Sequence, residues 1–412
     1  MNKRAHLVLL ALLTLWCAPS RSAPALDQDE AGIWMVVEKQ EQLLRTSPHR
    51  YKDQALESYL HRIVCDLRPD ACDVTRVYVL DLPGLNAFMM PNGAMFIQTG
   101  LLLRMTTDSE LASILAHELV HFTSKHSIEN IRRWRKNSNA FAVIGAVVGA
   151  AGSVAAAGAA TYGGAQSALN LSNSALYMLQ SVQILSAFQL IAYQRDDEKE
   201  SDTEGLRLIN QAGFNPQAAS TVWENYLAEE SYAEDQRGFS VLSTHPMPET
   251  RRKYLKELAT TQSQSGVRQD EDGFLEYVIP SVRLAWLANE VRALHPSQFE
   301  GLIRNQEKFS STPKGYHMYS LGKSWELYSE RQGVSRSKAK KARANAIDAY
   351  KEALVLESGM PKAGYRDLAK LAEQTQDYKT AVASLEKYLE VAPDAWDKKF
   401  VLKKLSKLKK VI

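Results

Sequence analysis

The chain has 412 residues, 45% of them hydrophobic and 24% charged. That is the make-up of an ordinary globular protein with more chain than one compact core usually takes, so two domains are expected. With 50 basic and 47 acidic residues the formal charge is only +3, which excludes the strongly basic surface of a nucleic-acid binder.

Residues 1–22 have the layout of a secretory signal: Lys3 and Arg4, an apolar core from Leu7 to Trp16, and small residues at Ala18, Ser20, Ser22 and Ala23. The core is too short to span a bilayer, and bulky Trp16 before Cys17 departs from the small residue a lipidation signal needs. Export is the expectation. Cys65 and Cys72, flanking a turn with Pro69, are then expected to pair in a disulfide. The rival reading, a metal or redox pair, lacks the Cys-x-x-Cys spacing.

Between residues 27 and 66, apolar positions such as Ile33, Val36, Val37, Leu43, Leu44, Leu56, Leu60, Ile63 and Val64 recur at helical spacing. Val74 to Leu80 alternates like a strand. Asn86–Met90 and Ala94–Ile97, joined by Pro91, Asn92 and Gly93, read as a hairpin closed by a tight two-residue turn. The expected sheet is small and antiparallel. Its edge could take up an extended peptide backbone by strand addition, or the hairpin could be scaffold alone.

The next segment, Ala116-His117-Glu118-Leu119-Val120-His121, is an HExxH pattern inside an apolar helical run. Residues four apart lie on one helix face, so His117 and His121 can offer two imidazole nitrogens to one ion. Glu118 stands beside the first ligand, where a carboxylate can take a proton from a polarised water. Thr107 to Glu110 has the capping-box pattern, and Leu111, Ile114, Leu115, Leu119 and Val120 supply a buried stripe. The rival is two ordinary histidines on a core helix.

From Phe141 to Tyr162 the chain is almost wholly Ala, Gly and Val, followed to residue 192 by a more polar stretch. The insertion 140–192 reads as a pair of helices covering a cleft or touching a membrane surface, with true membrane insertion as the alternative.

A zinc hydrolase needs a third ligand. The metzincin register would put Gly at 124 and His at 127, but Ser124 and Ser127 stand there, with His126 one residue off. The acidic run 196–202 offers Glu198 and Asp202 on one helix face, Glu198 as ligand and Asp202 orienting an imidazole. A solvated acidic first turn is the other reading.

Taken together these motifs resemble the M48 metallopeptidases, a family that includes membrane-embedded proteases and periplasmic proteases with tetratricopeptide repeats. The resemblance covers roughly residues 75–260. It rests on Leu85-Asn86-Ala87-Phe88, Glu110-Leu111-Ala112 leading into the HExxH, Glu198-Lys199-Glu200-Ser201-Asp202, Ala212-Gly213-Phe214-Asn215-Pro216, and Thr244-His245-Pro246 with Arg251. Ser201 stands where the family pattern has Ala. The resemblance implies one zinc ion per chain with Glu198 as third ligand, Glu118 as general base, and His245 and Arg251 near the metal, where they could stabilise an oxyanion. A further hypothesis is that His245 occupies the open zinc position in a resting state and must move away.

Beyond residue 266 the chain reads as helical. Ala346-Ile347-Asp348-Ala349-Tyr350 recurs as Ala381-Val382-Ala383-Ser384-Leu385, 35 residues on, close to the tetratricopeptide period. The first helices of the units are expected at Tyr316–Leu327 and Gly364–Gln374. The last segment, Lys398 to Ile412, sets Val401, Leu402, Leu405 and Leu408 opposite seven lysines and reads as a solvated cap helix or an anionic-lipid contact.

The expected architecture is α+β and mostly helical: a signal peptide (1–22), a zincin-like protease domain with a small antiparallel sheet (23–265) and an all-α repeat domain (266–412). The expected function is an exported, periplasmic zinc endopeptidase acting on misfolded or stalled envelope proteins, with chaperone activity. Its expected partners are unfolded substrates, an outer-membrane assembly machinery reached through the repeats, and a membrane surface touched peripherally. Two rivals stand beside it. One is a non-catalytic chaperone or repeat scaffold with structural zinc, which has no need of Glu118; the other is an integral prenyl-protein protease, which needs several spans this chain lacks.

Overall fold

The computed structural model describes residues 28–137, 193–233, 245, 248–261, 274–306, 313–356 and 360–412. The signal segment and the insertion 140–192 lie outside them. Among the described residues no helix is long and apolar enough to cross a membrane.

The chain opens with helix α1 (Gln28–Arg45), the short strand β1 (Arg50–Tyr51) and α2 (Gln54–Leu67). Asp53 caps α2 by accepting from the Leu56 N–H. A 3-10 turn over Pro69–Val74 follows, and the disulfide Cys65–Cys72 ties it to the end of α2. Strands β2 (Arg76–Leu80), β3 (Ala87–Met89) and β4 (Ala94–Gln98) complete a sheet of order β1-β2-β4-β3.

This sheet is mixed, which corrects the antiparallel expectation. β3 and β4 form the expected hairpin, but β2 and β4 run parallel, with Arg76 opposite Ala94 and Leu80 opposite Gln98. The reason is the link 81–86. It carries the chain past the end of β4, where Gln98 and Gly100 donate to Asn86 O and Leu82 O, so the hairpin enters with β3 outermost. β4 then slots beside β2 in the same direction.

The hairpin turn also differs from the two-residue form. Met90 N–H reaches Ala94 O at 2.8 Å and Gly93 N–H reaches Met90 O at 3.0 Å, leaving three residues in the loop. Pro91 holds φ near the value of the second residue of a type I turn, so the left-handed position falls on Gly93 (φ +86°). A Cβ there would lie 2.3 Å from Val74 O.

β4 is buried along its whole length because both sheet faces are covered. Ala94 and Phe96 face α1 with Ile33, Val37 and Leu44, whereas Met95 and Ile97 face the core shared with α2 and the metal-site helix. Glu41 fastens α1 to the sheet, accepting from Arg76 Nη2 and Asn92 Nδ2 at 2.7 Å and from Tyr78 Oη at 2.9 Å.

Next come α3 (Thr99–Arg104), α4 (Asp108–Thr123), α5 (His126–Asn137), α6 (Arg195–Gln211), α7 (Ala218–Glu230) and α8 (Pro248–Thr261). Helices α9 (Phe274–Ala293) and α10 (Pro296–Gln306) then fold back on this group. Arg104 of α3 bonds Glu229 of α7 and Glu290 of α9, and Gln306 donates to Leu103 O at 2.6 Å. Trp286 meets Tyr51 edge-on.

The remaining helices are α11 (Lys314–Ser329), α12 (Arg336–Val355), α13 (Lys362–Gln374), α14 (Tyr378–Val391) and α15 (Lys398–Leu408). α11 packs on α12 and α13 on α14, with α15 against α14. The two recurring segments therefore occupy the second helix of each pair. Tyr350 and Glu326, joined at 2.9 Å, anchor the first pair.

Candidate metal centre

Helix α4 carries the HExxH pattern and is buried from Ser109 to His121 apart from Ile114. Thr107 starts it by accepting from the Glu110 N–H at 3.1 Å, and the Glu110 carboxylate accepts from the Thr106 N–H at 2.7 Å. α6 packs directly against α4. Gly205 permits this, because a Cβ there would come within 3.3 Å of His117 N. The close approach lays Glu198 and Asp202, one turn apart on α6, beside His117 and His121.

Four groups converge. His117 Nε2 and His121 Nε2 are 3.0 Å apart, and His245 Nδ1 lies 3.2 Å from the former. Glu198 Oε1 stands 2.8 Å from His245 Nδ1 and 3.4 Å from His121 Nε2. One ligand atom from each of the four residues lies within 4.8 Å of every other, and all four side chains are buried. His61 also gathers with Cys65 and Cys72, but those sulfurs are spent on the disulfide.

Three imidazoles and a carboxylate turned on one point make a poor hydrogen-bond set and a good ligand set. A neutral ring has one donor and one acceptor, so rings meeting nitrogen to nitrogen cannot all be satisfied by one another, whereas a single cation satisfies every lone pair. The donor chemistry fits zinc, with His117, His121, Glu198 and His245 as the residues that would hold it.

The surrounding groups fix these donors. His117 Nδ1 is 3.0 Å from Asp202 Oδ1, which turns Nε2 towards the cluster. Asp202 also accepts from Arg251 Nε at 2.7 Å and from the Tyr254 hydroxyl. Arg251 pairs with Glu198 Oε2 at 2.9 Å and stacks over Trp223. Nε and Nη2 of its fork are committed to Asp202, which makes it a holder of ligands, while Nη1 has no hydrogen-bond partner among the described residues.

Glu118 stands beside the cluster, 3.4 Å from His245 Nε2, and its Oε2 has no hydrogen-bond partner among the described residues. Burial pushes its carboxyl up, against the pull of His245 and His117. Burial works against the charge of Glu198 too, but His245, His121 and Arg251 outweigh it and hold Glu198 well below the usual carboxylate range. Burial also keeps His121 neutral by lowering it far below its ordinary value.

Three residues complete the site that the sequence reading did not place there. His126 Nδ1 lies 3.0 Å from His121 Nδ1, and Ser201 Oγ lies 3.4 Å from that same His126 atom. Tyr193 stacks on the His121 ring with centroids 3.7 Å apart, its hydroxyl bonded to Ser127 Oγ at 2.8 Å. The extra histidine after the motif and the serine before Asp202 were visible signals. Tyr193, arriving from beyond the insertion, had none.

Residues 51–259, just over half of the chain, match the peptidase family M48. The chain belongs to family M48. Among curated M48-like relatives, the beta-barrel assembly-enhancing protease of Escherichia coli strain K12 is 27% identical over 235 residues, 56% of this chain and 45% of that one. A putative beta-barrel assembly-enhancing protease of Vibrio cholerae is 30% identical over 213 residues, 51% of this chain and 40% of that protein. The mitochondrial metalloendopeptidase OMA1 of Schizosaccharomyces pombe is 33% identical over 181 residues, 44% and 45% of the two chains. These matches span about half the length, or less, of each relative.

Proposed function

We propose that this M48 chain is a zinc-dependent endopeptidase of the bacterial envelope that hydrolyses misfolded or stalled outer-membrane proteins. The observation that carries the reading is the convergence of His117, His121, Glu198 and His245 within 4.8 Å, with Glu118 alongside, its Oε2 without a hydrogen-bond partner among the described residues. Zinc held there would polarise both a water and the scissile carbonyl. Glu118 accepts the attacking water's proton on Oε2 and delivers it to the amide nitrogen as the C–N bond breaks. Asp202 and Arg251 keep His117 and Glu198 aimed while charge shifts. His245 fills the position a substrate carbonyl needs, so this arrangement is a resting form and His245 withdraws before cleavage.

The substrate class rests on two supports. Relatives are named for beta-barrel assembly, and β3 is a sheet edge next to α4, where an extended chain can add as a strand irrespective of its sequence. In this reading the signal-like sequence 1–22 supports a periplasmic location, and the paired helices α11–α14, read as tetratricopeptide-like, recruit substrates or an assembly partner. One observation favours a second reading: four protein ligands close the site as in a structural zinc centre, which suits a chaperone or scaffold. Glu118 decides between them. Glu118→Gln is expected to retain zinc and lose cleavage of an unfolded protein by roughly 10²–10⁴-fold. Equal cleavage by variant and wild type overturns the peptidase mechanism.

A further inference from the structure

The last helix carries a face that neither the metal centre nor the helix pairs use. α15 buries Val401, Leu405 and Leu408. At 3.6 residues per turn, Lys399, Phe400, Lys403 and Lys407 fall on the opposite face, and Trp396 precedes them by one turn. Phe400 is 68% exposed and Trp396 89%. Aromatic rings are enriched where a protein meets a membrane interface or a partner, so two bare rings one turn apart make this face a candidate contact surface.

The charges around the two rings are one-sided. Lys404 is paired with Glu373 at 2.5 Å and Lys409 with Glu386 at 2.6 Å. Lys398, Lys399, Lys403, Lys407 and Lys410 have no ion pair with any described residue. Asp397 turns inward to Arg366 at 3.0 Å and Tyr388 at 2.8 Å, so Asp394 is the exposed carboxylate left beside Trp396.

We propose that this face docks the protein on an anionic phospholipid bilayer, with Trp396 and Phe400 entering the interface and Lys399, Lys403 and Lys407 meeting headgroup phosphates. Aromatic rings favour the headgroup level of a bilayer, and lysine stems can lie along the apolar layer while their ammonium groups reach phosphate. Nucleic acid would call for a wider basic surface than a chain of charge +3 offers. Protein interfaces are depleted in lysine, whereas here five lysines without an ion pair to any described residue surround two rings. The proposal is independent of the zinc reading.

Flotation of the full chain with vesicles tests it, comparing phosphatidylcholine alone with phosphatidylcholine mixed with phosphatidylglycerol. The wild type is expected to float with the mixed vesicles only, and to be released by salt. Trp396→Ala with Phe400→Ala is expected to weaken partition about tenfold, while Trp396→Phe retains it. Lys399→Glu, Lys403→Glu and Lys407→Glu together are expected to weaken it roughly a hundredfold. All sites are exposed, and an unchanged thermal midpoint verifies the fold of each variant. Equal binding to both vesicle types, no flotation of the wild type, or variants that float like wild type would each overturn the proposal. So would Trp396-dependent self-association without lipid.

Discussion

Among the described residues, the cluster around Arg104 and the cluster around His117 are both buried and charged, and they are built on opposite plans. In the first, Arg104 donates from Nε and Nη2 to both oxygens of Glu229, at 2.8 and 2.6 Å, and from Nη1 to Glu290 at 2.8 Å. Gly84 N–H completes Glu290 at 2.7 Å, so donors meet acceptors throughout. In the second, imidazole nitrogens face one another at 3.0–3.2 Å and Glu118 Oε2 has no hydrogen-bond partner among the described residues. A matched cluster joins helices. A mismatched one, held in place by its neighbours, is where a cation and a reacting bond belong.

Mutations can separate the two plans. Glu118→Gln should produce the largest effect, on cleavage and not on stability. Arg104→Met should do the reverse: removing the cation between two buried carboxylates is expected to cost about 3–5 kcal/mol, read as a lower urea midpoint. Should Arg104→Met leave the midpoint unchanged, the triad is not what binds α9 to α3 and α7.

A finer cut falls on His126. Its ring fixes which nitrogen of His121 faces the cluster, so His126→Ala is expected to weaken zinc affinity roughly 10–100-fold in chelator competition, with little change in thermal midpoint. Unaltered affinity would assign the hold on His121 to Tyr193 stacking alone.

The smallest effect is expected at Glu41, a matched site like Arg104 but nearer the surface. Glu41→Gln should cost about 1–2 kcal/mol at neutral pH. Burial would raise the Glu41 carboxyl, but Arg76, Tyr78 and Asn92 together hold it below the ordinary value. A lowered acid contributes fully above its unfolded value of about 4.3 and loses the contribution as pH falls through its folded value. The stability gap between wild type and variant should therefore close in acid. A gap independent of pH would locate the loss in packing.

Much of the metal centre was legible in the sequence because helical periodicity is local. The four-residue spacings of His117 with His121 and of Glu198 with Asp202 each specify one helix face without reference to the rest of the chain. His245 and Arg251 entered through family resemblance, since no periodic rule reaches across the intervening chain. Only the tertiary structure shows what Arg251 touches: Nε and Nη2 bond Asp202, while Nη1 lies 2.9 Å from Glu198 without a hydrogen bond to any described residue.

The fold divides in the same way. The helix stripes, the strand at Arg76–Leu80 and the hairpin were readable from apolar period and turn residues. The parallel pairing of β2 with β4 was not, because strand order depends on where the link 81–86 runs, and an alternating strand has the same pattern whichever neighbour it meets.

By itself, then, the sequence determined the residue types and local spacings: two histidines, two carboxylates and the helices that carry them. Only the tertiary structure decided which distant groups share their space. Tyr193 on His121, His126 and Ser201 behind it, Glu290 on Arg104 and the bare ring of Trp396 are all set by how helices pack. Packing brings together residues far apart in the chain, and no local pattern records the contact.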